Sequence, residues 1–278
     1  MFSIILAVLT GAVLAGVGGG LLHSYPWGGF FFMVGFITCS VLVSRAMAKK
    51  LKAVMDVVQA HLTTCQEDAY KLINRFQAKP MGSQKLMQDR IEQVMEKGVR
   101  EALGLLDQAK PLYRWNILAE RQINTVRFQL LYQIKEFEPA DALLSKILVM
   151  EPITLAMKLA RLYKTNDPSL EKVFRKGVRK FKSDKAALIY SLYAWILLQQ
   201  DRHDDALAVL EEGKTKTEDE TLVRNWQAVA NKRYGQFSNA GLGDQWYALH
   251  LEKPTKPRAG GKGQMKNNPM MPKGRKRF

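Results

Sequence analysis

Two stretches at the start of the chain contain no charged residue, Met1 to Leu22 and Trp27 to Ser44, and only His23, Ser24, Tyr25 and Pro26 separate them. Such runs are poorly accommodated in water, and a helix crossing a ~30 Å hydrocarbon layer needs about 20 of them in succession. The first run is ample and the second lies near the short end. The spacing predicts a two-helix transmembrane hairpin over residues 1–46, with Tyr25 and Trp27 at the lipid–water boundary. Arg45, Lys49, Lys50 and Lys52 follow at once. A positive flank marks the cytoplasmic side, so the N-terminus and everything after the hairpin are expected in the cytoplasm. A secretory signal would carry a basic segment ahead of its apolar core, and the first run has none. Ala7, Gly11, Ala15 and Gly19 recur every four residues, a stripe of small side chains that lets helices approach closely, either the two of the hairpin or one of a partner protein.

An amphipathic segment comes next, over residues 47–110. Leu51, Met55, Val58, Leu62, Cys65, Ala69, Leu72 and Phe76 alternate gaps of four and three, the seam of a coiled coil. Pro80 and Gly82 break it, and a second run follows through Met87, Ile91, Val94, Gly98, Ala102 and Leu105. This predicts a helical stalk. Its seam suits either the second run packed back antiparallel or a homo-oligomer formed through the first, which Cys65 would report by cross-linking.

From residue 111 the apolar spacing becomes that of short paired helices. In Lys185 to Gly213 the residues Leu188, Tyr190, Tyr193, Ala194 and Leu197 recur at helical period, as do Ala206, Leu207, Val209 and Leu210, around the polar turn Gln199 to Asp205. Two helices joined so tightly run antiparallel and leave an apolar face that one pair cannot bury, so neighbours are required. Sixty-six residues before His203 and Ala206 stand Phe137 and Ala140, followed by Leu144, Ile147 and Pro152. Leu159, Ala160, Tyr163, Leu170, Phe174 and Gly177 supply a pair between, around Asn166, Asp167 and Pro168. Gly235, Phe237 and Ala240 begin a further copy that Gly241, Gly243 and Asp244 interrupt, which reads as a degenerate cap.

This pattern resembles the tetratricopeptide repeat, a 34-residue helical pair, over roughly Ile123 to Glu252. The resemblance implies an α-solenoid over residues 111–252 whose first helices line a concave groove for a protein partner. The groove positions would be Thr125, Gln129, Tyr132 and Gln133, then Met157, Arg161 and Lys164, then Ser191, Trp195, Leu198 and Gln199. Trp195 would be its aromatic anchor. The layout is similar to bacterial inner-membrane proteins that place such an array behind a membrane hairpin.

Charge is concentrated at the far end. Of the chain's formal +16, residues 253–278 carry +9, from Lys253, Lys256, Arg258, Lys262, Lys266, Lys273, Arg275, Lys276 and Arg277 with no carboxylate side chain among them. Too few apolar residues accompany them to form a core, so a disordered basic tail is expected, suited to anionic lipid or RNA phosphate.

No catalytic, metal or cofactor motif emerges. His23, His61, His203 and His250 are scattered, the two cysteines have no ligand spacing, and neither Gly241-Leu-Gly243 nor Gly260-Gly261-Lys262-Gly263 sits in a nucleotide-binding context. The expectation is an all-α, non-enzymatic scaffold or adaptor that recruits a protein at the cytoplasmic face of the inner membrane. A ribosome or nucleic-acid tether acting through the tail is the alternative. A regulated pore is weaker, because only Ser3, Thr10, Thr38, Ser40 and Ser44 offer polar groups in the apolar runs.

Overall fold

The apolar start and the amphipathic segment after it are joined in one helix. The computed structural model describes residues 2–22, 25–78, 83–115 and 117–253, and among them every regular element is helical. Helix α1 (Phe2–Leu22) packs back along the first part of α2 (Tyr25–Ala78), a 54-residue helix. The boundary expected at residue 46 therefore lies inside α2. Nothing between Ser44 and Leu51 breaks a helix, since Arg45, Ala46, Met47, Ala48, Lys49 and Lys50 are all strong helix formers and only the polarity changes. The small-residue stripe explains the pairing: Ala7 and Gly11 are buried, and a Cβ on Gly35 would lie 3.3 Å from Gly11 Cα.

Helix α3 (Gln84–Leu106) starts where the Ser83 hydroxyl accepts the Leu86 N–H. It lies against the lower part of α2 and covers the heptad seam, with Val58 and Val99 buried between them. The two helices come close at Gly98, where any Cβ would collide with Cys65. The face offered for a homo-oligomer is thus already covered within the chain. Nor do α2 and α3 stand apart as a stalk. A 3₁₀ helix (Asp107–Arg114) leads to α4 (Ile117–Gln133), and Leu51, Val58, Val99, Leu106, Ile123 and Leu130 share one core. Leu103 joins that core to the larger one beyond. Ion pairs stitch the same junction: Arg127 with Asp107 at 2.6 Å, Lys135 with Glu92 at 2.7 Å and Arg100 with Glu136 at 2.6 Å.

The remainder is built from helical pairs: α4 with α5 (Phe137–Asp141), α6 (Pro152–Lys164) with α7 (Leu170–Val178), and α8 (Ala187–Gln199) with α9 (His203–Thr217). Helix α10 (Glu220–Ala230) follows, with two short 3₁₀ turns and one four-residue helix after it. The first helices begin at residues 117, 152, 187 and 220, steps of 35, 35 and 33. Each also ends in the same way. Lys135, Asn166, Asp201 and Lys232 adopt φ of 63, 52, 58 and 56°. In each case the next N–H reaches back five residues, from Glu136 to Leu131, Asp167 to Leu162, Arg202 to Leu197 and Arg233 to Ala228. This is the Schellman closure, which satisfies the last carbonyls of a helix and turns the chain sharply. Ala140 and Ala206, at matching places in the second helices, are fully buried. Gly177 and Gly213 sit where a Cβ would strike Leu155 and Tyr190.

After α10 the chain does not form a second helix. Gly243 adopts φ 60°, ψ −138°, a conformation essentially reserved for glycine, and turns the chain into α11 (Asp244–Tyr247) and the segment to Glu252. This strap lies across α4 and α8 and buries Trp246 and Leu249.

Candidate functional site

The eleven groove positions belong to first helices, and the structure shows what faces them. Tyr132, Met157, Ser191 and Trp195 are buried rather than open. The Tyr132 hydroxyl donates to the Leu249 carbonyl at 2.6 Å, and burial pushes its phenol well above the ordinary tyrosine value. His250 stacks on the same ring. Trp195 meets Trp246 edge to face at 5.8 Å, and Tyr163 likewise at 5.7 Å. Both indole N–H groups converge on Glu252, Trp195 on Oε1 at 2.7 Å and Trp246 on Oε2 at 2.8 Å. The expected anchor is therefore occupied, by the chain's own strap.

Other groove residues are engaged in holding the fold. Thr125 accepts the Leu148 N–H at 2.8 Å, and Gln129 donates to Thr154 at 2.7 Å, which pins the connection into α6. Arg161 forms a two-pronged pair with Asp141, both bonds 2.7 Å, and its guanidinium lies 4.3 Å over the Phe137 ring. It offers no free charge to a partner's carboxylate. Ser191 carries no contact surface, and its carbonyl accepts from Asn239, whose side chain also accepts from Asn225. Open groove positions are Gln133, Lys164 and Gln199, with Leu198 half-buried. Gln133, Lys164 and Gln199 each stand two residues before a left-handed turn residue, so they mark one edge of the helix stack.

Why the groove is filled follows from its composition. Tyr132, Tyr163, Trp195 and Leu198 make an apolar floor, and an unfilled floor of aromatic rings favours any covalently attached apolar segment that reaches it. In the sequence Gly241 and Gly243 interrupt a helix and give no place to Trp246, Leu249 and Glu252, which the structure brings into the site. The available signal was an indole and a leucine at helical spacing directly after a glycine turn.

A second feature is a basic stripe on α7. On α7 the exposed Lys172, Arg175, Lys176 and Arg179 share one face, opposite buried Phe174 and Val178, and exposed Lys180 and Lys182 follow. Glu171 is the acidic residue within this stretch and is paired with Arg175 at 2.8 Å. The field reaches Lys158, whose amine is held below the ordinary lysine value by burial and then by Lys180, against the opposing pull of Asp167. Of the expected anion-binding tail, Lys253 is described and exposed. Lys256, Arg258, Lys262, Lys266, Lys273, Arg275, Lys276 and Arg277 lie outside the described residues.

His61 and Cys65 come together with Glu101 across α2 and α3. The His61 Nε2 atom is 3.2 Å from Glu101 and 3.7 Å from the Cys65 sulfur. A relay would engage opposite ring nitrogens. Here both neighbours meet the same one, and burial, Glu101 and Asp68 push the Cys65 thiol up, away from the reactive thiolate. Among the described residues no group of three or more His, Cys, Asp or Glu is placed to hold a metal ion.

The start of α2 is long and apolar enough to cross a membrane by length and composition. Its large side chains are bare, with Trp27, Phe30, Met33, Ile37 and Leu42 all more than half exposed, and Ile4, Leu9 and Val13 of α1 are likewise. Comparison with protein-family models, curated proteins and solved structures finds no match.

Proposed function

We propose that this chain is a membrane-anchored helical-repeat adaptor of tetratricopeptide type, held by an α1–α2 hairpin in a bacterial inner membrane with its helical domain in the cytoplasm. The observation that carries the reading is α2 itself. One helix is bare and apolar over its first 18 or so residues and then contributes Leu51, Met55, Val58 and Leu62 to the core of the helical domain. Roughly 25 cal/mol per Å2 of exposed apolar surface is recovered when such a face enters lipid. The nearly equal steps between first helices and the four like turns support the repeat assignment.

With the groove filled, a protein partner is received on the open edge at Gln133, Lys164 and Gln199 rather than on Trp195. Two measurements test this. Alkaline carbonate extraction reports the anchor, and release of the full-length protein into the supernatant would end that part. Affinity capture then compares full-length protein with the Lys164→Glu/Gln199→Glu variant. A defined partner lost from the variant supports the edge; identical captures remove it.

The α7 stripe favours a second reading, a tether for a polyanion such as ribosomal RNA, helped by the basic tail. Each phosphate contact adds to a steep salt dependence. Salt-sensitive RNA binding that falls with Lys172→Glu/Lys176→Glu/Arg179→Glu would select it. A pore finds little to line it, since Thr10 donates within its own helix to Leu6 and Ala7, and Ser3 donates to Trp115.

A further inference from the structure

The first turn of α1 is fastened to the base of the helical domain. Ser3 Oγ donates to the Trp115 carbonyl at 2.7 Å, and the Phe2 and Trp115 rings meet at 5.8 Å. Because α1 returns along α2 with Gly11 beside Gly35, Phe2 stands level with the turn at Ser44 and Arg45, where the apolar surface ends. Beside the ring pair is a concavity of about 600 Å3 lined by Phe2, Lys110, Pro111, Arg114 and Trp115. It opens at the height where exposed Arg45, Lys49, Lys50 and Lys52 emerge from α2.

We propose that this concavity binds the phosphate of an anionic phospholipid headgroup, with Lys110 and Arg114 as the charged contacts and Trp115 and Phe2 as the wall against the upper acyl chain. The proposal rests on the membrane-anchored reading above. Four observations carry it. The site is at the end of an uncharged, lipid-length surface, the depth at which phosphates lie. Its rings are of the kind that favour the boundary, apolar in body with a polar tip on Trp115. Two carbonyls at the site are already engaged: Trp115 O accepts from Ser3, and neighbouring Leu112 O accepts the Trp115 N–H at 3.0 Å. Finally, Asp107, the carboxylate that touches Lys110, is held chiefly by Arg127 at 2.6 Å. That leaves donors of the Lys110 ammonium available, since an ammonium has three. The exposed lysines on α2 attract an anionic surface diffusely.

The test uses full-length protein in neutral detergent, titrated with short-chain phosphatidylglycerol, phosphatidylcholine or inorganic phosphate and read by native mass spectrometry and Trp fluorescence. The expected result is binding of phosphatidylglycerol over phosphatidylcholine, weakened about tenfold in Lys110→Gln/Arg114→Gln and retained in Lys110→Arg/Arg114→Lys. Removing the same charge at Arg45 and Lys49 should change it by less than about threefold. Equal weakening by the two neutralised pairs would overturn the site in favour of diffuse attraction. Inorganic phosphate that binds as tightly and displaces the lipid would assign a free phosphate instead. Carbonate extraction of the same variants separates the readings: release from the membrane fails the anchor, whereas a retained protein with no phosphatidylglycerol preference fails the site.

Discussion

Lys135, Asn166, Asp201 and Lys232 hold a left-handed backbone that asparagine and aspartate accept more readily than lysine. None of the four is glycine, which is why these turns are invisible to a search for glycine punctuation. Lys232 is exposed and makes no ion pair among the described residues, so Lys232→Gly should raise stability by about 0.5–1 kcal/mol, the strain relieved less the added freedom of the unfolded chain. A shift of the urea midpoint at constant slope checks it. His250 gives a pH dependence. Its imidazole stays partly exposed, yet desolvation of the ring face laid on Tyr132, and then the Lys135 ammonium, hold it below the ordinary histidine value of 6.5; Glu92 and the Tyr132 backbone oppose this. The unfolded chain therefore takes up a proton first as pH falls. Stability linked to this group is complete above about pH 6.5 and declines below it. Urea midpoints between pH 7.5 and 5.5 should show that decline, and His250→Gln should flatten it.

At the scale of elements, helix pairs were legible and the strap was not. Apolar spacing placed α8 and α9 and the paired helices before them, because the positions that touch, such as Ala140, Ala206, Gly177 and Gly213, leave a mark on residue size. A groove leaves no such mark. Exposed and covered aromatic residues on a helix read alike, and whether Trp195 faces solvent is decided by a turn at Gly243 nearly fifty residues later. Trp195→Ala should accordingly act as a core truncation, costing about 3–5 kcal/mol, and not as loss of a surface anchor. Thermal melts of the full-length protein would show it before any partner is known. The α2–α3 contact gives a second case. Gly98→Val forces side-chain atoms into Cys65 and should cost about 1–3 kcal/mol, with Cys65→Ala recovering only part because the Cys65 Cβ is also within 2.8 Å of the added Cβ. A double-mutant cycle measures the coupling.

For the whole molecule, the all-helical class and the order of apolar start, amphipathic middle and paired helices were readable from hydropathy and period. Their joints were not. The positive cluster after Ser44 looked like a border between parts, yet charge marks where water begins and says nothing about where a helix stops. Leu51 to Leu62 belong to the domain core, so a chain beginning at residue 47 should keep its helicity and cooperative melt. One beginning at residue 63 should lose several kcal/mol, through the ~1.5–3 kcal/mol carried by each buried aliphatic side chain. Circular dichroism melts of the two truncations check this. The unbroken α2 has a mechanical consequence. From Arg45 to Ala78 it extends for about 50 Å at 1.5 Å per residue, without a joint. In a bilayer, tilt of its apolar part becomes sideways travel of the helical pairs, roughly 9 Å for each 10° over that length. If the chain is anchored as proposed, a thinner membrane would swing the open edge through an arc over the surface, so that bilayer thickness would set which way that edge points.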